Sequence, residues 1–179
     1  MAEKRDYTIT ELSVISVTPE EIISGAMNEE IKARMMRTIE TEGPILESLL
    51  YKRVITSLSL KKIGSRILPV FDAIASSLPV QITDDSGERL FHRENEDNSF
   101  RPTPESEIRY SYQIPTEEAV SCLEYIIEHA EKTVTKSELE KMFKAEMGYD
   151  RLGSQVEALF KRAVKSPRLK RTGNGRFMK

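Results

Sequence analysis

The sequence has no tryptophan and one cysteine, Cys122, in 179 residues. An internal disulfide is therefore excluded, and no cluster of thiolates can hold zinc. The two histidines, His92 and His129, are 37 positions apart and neither belongs to a metal-ligand spacing. An excess of charge of one sign is missing as well. The 27 Lys and Arg face 29 Asp and Glu, and the pI is about 5.9. With 39% hydrophobic residues, 8 Gly and 8 Pro, the chain is neither a disordered polyelectrolyte nor a low-complexity segment. The longest uncharged run, Ala73 to Thr83, falls far short of the roughly 20 apolar residues of a bilayer span. The start, MAEKRDYTIT, has no signal-like apolar run. These absences lead to the expectation of a folded, soluble, cytoplasmic protein with no membrane partner. There is also no GxxxxGK[ST] phosphate loop, so a motor activity would have to reside elsewhere.

What is present is unevenly placed. Residues 1–27 and 94–115 each carry 2 basic and 5 acidic side chains, while 28–93 carry 10 and 9 and 116–179 carry 13 and 10. Within the last block, Lys161 to Lys179 contains eight basic residues and no acidic one. That run is the strongest electrostatic signal in the chain.

The two longer blocks are also copies of one pattern. At an offset of 89 residues Gly64-Ser65 meets Gly153-Ser154, and Ile45 meets Val134, Leu50 meets Leu139, Ile63 meets Leu152, Ile67 meets Val156, Val70 meets Leu159 and Phe71 meets Phe160. Each copy predicts three helices and a hairpin. In the first, Asn28 caps a helix with Ile31, Met35 and Ile39 on its apolar face, and Gly43-Pro44 ends it and opens a second helix with Leu46, Leu49, Leu50 and Val54. A third helix carries Ile63 through Ile74, kinked at Pro69, and Asp84-Asp85-Ser86-Gly87 marks a hairpin. In the second, a helix starts at Thr116, Thr135-Lys136-Ser137-Glu138 is a capping box, and the closing hairpin turns at Gly173-Asn174-Gly175. Three helices followed by a two-stranded wing is the winged-helix arrangement. The expected fold is therefore mainly α with small β wings (α+β), in tandem winged-helix, helix-turn-helix units at 28–93 and 116–179. Residues 1–27 form a strand and helix extension, with alternation in YTITELSVISV and a capped start at Thr18-Pro19. Residues 94–115 read as an exposed acidic connector, in which Ile108, Tyr110, Tyr112 and Ile114 alternate against a wing edge.

Catalytic signals are weak. Ser65 and Ser154 follow the repeated glycines but lack the strand-turn-helix setting of a nucleophile elbow. Glu20-Glu21, Glu29-Glu30 and Glu117-Glu118 sit at predicted helix starts, where the macrodipole favours negative charge. Cys122 belongs to an apolar helix face and behaves as a small hydrophobe. Gly64 and Gly153 are expected to permit close packing or a tight turn at the head of each third helix. No enzyme activity, metal or cofactor is expected.

The EGPI stretch (Glu42 to Ile45), Leu49-Leu50, Lys52-Arg53-Val54, the KKIGSRI stretch (Lys61 to Ile67) and a second IPTEEA to RLGSQV half span most of residues 20 to 160. In these residues the chain resembles the uncharacterised C-terminal domain of large bacterial superfamily-one helicase-like proteins that also carry nuclease-type modules. The resemblance implies a nucleic-acid context, DNA first, and helicase or nuclease subunits as partners.

Two functions are then expected to compete. In the first, the third helices and the second wing bind nucleic acid through Lys61, Lys62, Ser65 and Arg66 in copy one, and Arg151, Ser154, Gln155, Lys161, Arg162, Lys165, Arg168, Lys170, Arg171 and Arg176 in copy two. About five phosphate contacts give a slope of log K on log salt of roughly −4 to −5. In the second, the units dock a protein partner or a second copy as a homodimer, with Tyr51 and Tyr110 in exposed patches. The acidic pI favours this one.

Overall fold

The computed structural model describes residues 1–150 and 153–179, and the chain is α+β, with seven α-helices and two small sheets among those residues. It divides into an N-terminal unit, Thr8–Glu96, and a C-terminal unit that joins Met1–Tyr7 to Asp97–Lys179. The join is made by β1 (Glu3–Lys4), which pairs in parallel with Ser99 and Phe100. The alternating run from Tyr7 to Val17, expected as a strand, forms none.

In the N-terminal unit α1 (Pro19–Ile23) starts as the sequence predicts. Thr18 and Glu21 form a reciprocal capping box with proline at the first position. α2 (Asn28–Glu42) buries Ile31, Met35 and Ile39 along one face, but Asn28 is its first helical residue and makes no cap bond. Pro44 does not open the next helix. A short strand, β2 (Ile45–Leu46), intervenes before α3 (Glu47–Ser57) because Ile45 and Leu46 pair with Phe91 and Leu90. α4 is shorter than expected, Leu68–Ser76, and Pro69 lies in its first turn. There the missing N–H is harmless, so the proline begins the helix where a kink was expected. β3 (Ile82–Asp85) and β4 (Glu88–Phe91) form the expected hairpin, with Ser86 and Gly87 both at positive φ in the turn. The strand order is β2-β4-β3.

The C-terminal unit repeats this plan. After β5 (Ser99–Phe100) come α5 (Thr116–His129), α6 (Lys136–Glu146) and α7 (Ser154–Ala163). Thr135 and Glu138 cap α6 reciprocally. Val134 bridges Phe177, which bridges Arg171, the same order as Ile45, Phe91 and Ile82. Ile45 and Val134, aligned by the sequence repeat, thus occupy equivalent places. This topology is compatible with a winged helix in each unit. The phenylalanines of both cores are buried, Phe71 and Phe91 in one, Phe100, Phe143, Phe160 and Phe177 in the other, and Cys122 is buried in the second.

The polar connector is not an exposed linker. Arg101 and Arg109 are buried and converge on buried Glu118, at 2.9 and 2.6 Å. Tyr7 covers both guanidinium groups, its ring centre 4.2 Å from Arg109 Cζ and 5.1 Å from Arg101 Cζ. Ile114 is fully buried, and Ser111–Gln113 form a single 3-10 turn rather than a strand against the wing. The N-terminal unit has its counterpart: buried Glu42 accepts from Thr10 N at 2.9 Å and from Arg53 Nε at 3.0 Å. In each unit the segment leading into the helices is thereby fastened to them by a buried carboxylate.

The repeated glycines carry no packing role. Among the described residues a Cβ at Gly64 or Gly153 would meet nothing within 4 Å, neither residue has positive φ, and Gly153 serves as the N-cap residue of α7. Gly43, in the EGPI stretch, is the constrained one: a Cβ there would lie 2.5 Å from Ile39 O and 3.0 Å from Arg93 N. Backbone on both sides cannot yield cheaply, so Gly43→Ala is expected to destabilise the N-terminal unit by roughly 1–3 kcal/mol. A urea melt checks this, and an unchanged midpoint refutes it.

Candidate nucleic-acid interface

α7 is strongly two-faced. Val156, Leu159, Phe160 and Ala163 are buried, while Ser154, Gln155, Lys161 and Arg162 are exposed on the opposite side. Lys161 pairs with Glu157 one turn earlier, and both groups are solvated, so the pair is weak and leaves the ammonium accessible. Arg162 Nε approaches Thr116 Oγ1 at 3.4 Å.

Beside α7 lies a cleft of about 320 Å³ lined by Lys136, Lys161, Val164, Lys165, Arg171, Gly175 and Phe177. Four cations and no carboxylate line it. Arg171 is held in place: its guanidinium stacks 5.0 Å above the Phe177 ring and donates to the Val164 carbonyl. Lys136 and Lys165 are exposed, and their ammonium groups have no hydrogen-bond or ion-pair partner among the described residues. Lys136 is also the first residue of α6, where the macrodipole disfavours a cation.

The other cations of the C-terminal segment differ in availability. The Lys170 side chain is exposed and unpaired among the described residues. Arg168 instead ties the C-terminal segment to Glu124 of α5 and to Asn98. Arg176 donates to Thr133 Oγ1 and O at 2.8 and 2.9 Å, which fastens the hairpin to the turn before α6. Sequence alone gives all of these the same weight. Lys136 was missed because it lies outside the basic run; only the bridge between Val134 and Phe177 brings it beside the wing. Arg151, like Leu152, lies outside the described residues.

The N-terminal unit presents a different surface. Lys61, Lys62, Ser65 and Arg66 are exposed but precede α4, because that helix begins only at Leu68. Arg66 comes within 4.0 Å of Glu20, with both side chains largely in solvent. α4 itself has one charged residue, Asp72, and no cation. The tip of the β3–β4 hairpin carries Asp84, Asp85 and Glu88. Arg89 is occupied by Glu47, Asp72, Tyr51 and Ser76. Tyr51, expected in an exposed patch, is buried edge-on against Phe71 with its hydroxyl 2.6 Å from Asp72. Burial and that carboxylate push its pKa up. The histidines have local partners: His92 contacts Thr83 and Glu96, and His129 the Tyr125 carbonyl.

A family described as a protein of unknown function (DUF3320) matches residues 20–68, the stretch from α1 to the head of α4 that holds the EGPI and KKIGSRI sequences. The match supports an uncharacterised domain of unknown function there. No curated protein and no solved structure matches the chain. Among the described residues no helix is long and apolar enough to cross a membrane.

Proposed function

We propose that the chain is a non-catalytic nucleic-acid-binding module, with DNA as its main ligand, built from two winged-helix units and accessory to a helicase- or nuclease-type system. The observation that carries the proposal is the cleft between α6, α7 and the second wing, where Lys136, Lys161, Lys165 and Arg171 converge without an acidic neighbour in its lining. Such a site suits phosphate oxygens, and the exposed Ser154 and Gln155 at the head of α7 suit a groove. The acidic wing of the N-terminal unit repels phosphate, so the C-terminal unit bears the contact.

Fluorescence anisotropy of the whole chain on a labelled mixed-sequence duplex tests this. Four to five phosphate contacts are expected to give a log–log salt slope of roughly −4. Absence of binding at low salt and micromolar protein overturns the proposal.

A second function for the N-terminal unit is favoured by one observation: the outward positions Leu68, Pro69 and Ala73 of α4 are uncharged and exposed. That face suits a protein partner or a second copy. Leu68→Lys is then expected to abolish self-association, or capture of a helicase or nuclease subunit, while leaving duplex affinity unchanged.

A further inference from the structure

We infer that Tyr110 and Tyr112 form a stacking platform for unpaired nucleobases, so that the C-terminal unit engages single-stranded nucleic acid; the inference rests on the nucleic-acid function proposed above. The two rings are 46% and 50% exposed residues, lie parallel within 7°, and have centroids 5.4 Å apart. Ile108, 62% exposed, precedes them in the same segment. Parallel, offset aromatic rings in solvent offer flat apolar faces of the kind on which bases stack, and every base has such a face.

The tyrosines are held firmly. Arg109 on one side is locked into the Glu118 cluster, and its carbonyl accepts from Tyr149 Oη at 2.7 Å. Ser111, Gln113 and Ile114 on the other side are buried. Tyr110 N donates to Gln113 Oε1 at 2.9 Å, and Gln113 N donates back to the Tyr110 carbonyl at 2.8 Å. Inward and outward residues therefore alternate through a rigid turn, and little ordering is left to be done on binding.

Position favours a nucleic-acid occupant. The 3-10 turn packs against α7, the helix that carries Lys161 and Arg162, and Arg162 reaches Thr116 just beyond the turn. Glu105, Glu107 and Glu117 flank the tyrosines in sequence. The backbone is thus disfavoured at the rings themselves, where contact is through base faces, and its phosphates are met at the cations of α7.

The test compares the intact chain with the Tyr110→Ala/Tyr112→Ala and Tyr110→Phe/Tyr112→Phe variants. Each is titrated against a labelled single strand of about 12 nucleotides, an abasic strand of equal length and the matching duplex. The alanine variant is expected to lose roughly 5- to 150-fold in single-strand affinity, with duplex affinity within about two-fold, and the phenylalanine variant to retain both. Tyr112→Trp adds a direct reporter, since the chain has no other tryptophan, and its emission is expected to be quenched by the single strand but not by the abasic one. If the alanine variant binds the single strand as tightly as the parent while duplex binding persists, the platform is overturned and the nucleic-acid function stands. If the parent binds no nucleic acid at all, both fall together.

Discussion

Glu118→Gln is expected to destabilise the C-terminal unit by roughly 3–5 kcal/mol, the cost of leaving buried guanidinium groups without their counter-charge. Glu118, Arg101 and Arg109 are 3%, 6% and 3% exposed, so water cannot substitute for the lost carboxylate. Both Glu118 oxygens are used: Arg109 meets Oε1 and Oε2 at 2.6 Å, and Arg101 meets them through its backbone N–H and its guanidinium. A domain of this size has only about 5–10 kcal/mol to lose, which makes the variant marginal at 37 °C. Hydrogen exchange should show protection lost across α5 to α7 and kept across α2 to α4. Full protection in α5 would refute the assignment of the cluster as the unit's anchor. Replacing all three charged groups together by apolar residues of matching volume is expected to recover much of the loss, because the desolvation cost then disappears as well.

The same cluster sets an acid limit. Burial alone would raise the Glu118 pKa, but the charges of Arg109 and Arg101 and their hydrogen bonds outweigh it and bring it down to about 2 from an ordinary 4.5. A depressed carboxylate pKa contributes stability that is complete above about pH 4.5 and is lost as the pH falls toward 2. The C-terminal unit is therefore expected to lose stability across that window, and Glu118→Gln to flatten the dependence.

The repeat and the capping signals were legible because they are local. Thr18, Glu21, Thr135 and Glu138 act within four residues, and the offset that aligns Ile45 with Val134 reflects one fold written twice. The buried belt was not legible. Arg101 and Arg109 stand in a polar, proline-bearing stretch whose composition suggests a solvated linker, and their partner Glu118 looks like an ordinary first-turn acid of α5. Only the closed structure shows that three charges neutralise one another inside. Pro69 illustrates a different limit: Ile63 and Ile67 continue the helical spacing of α4 backward, so periodicity overran the start that proline defines. The site divided in the same way. The basic run from Lys161 onward was visible as charge, but which of its members remain available depends on Glu124 and Thr133, residues distant in sequence that engage Arg168 and Arg176.

That selection determines the second large effect. Lys136→Gln/Lys165→Gln is expected to weaken duplex binding by roughly 60-fold at 0.1 M salt, since each phosphate contact releases about 0.9 counterion and is worth about eight-fold at that concentration. The salt slope should fall in magnitude by about 1.8, which a general loss of folding would not produce. Neither ammonium group has a protein partner among the described residues, so stability is expected to stay within about 0.5 kcal/mol of the parent. Arg168→Ala makes the instructive contrast. It breaks the tie to Glu124 and Asn98 and should lower the melting temperature while leaving the salt slope nearly unchanged. Lys61→Gln/Lys62→Gln, in the unit whose β3–β4 hairpin carries Asp84, Asp85 and Glu88, should alter duplex affinity by less than about three-fold. If the N-terminal pair costs as much as the cleft pair, the duplex lies on both units. If neither pair changes the slope, the cleft is not the phosphate site, and Arg162 in the last turn of α7 and Lys170 would have to carry it.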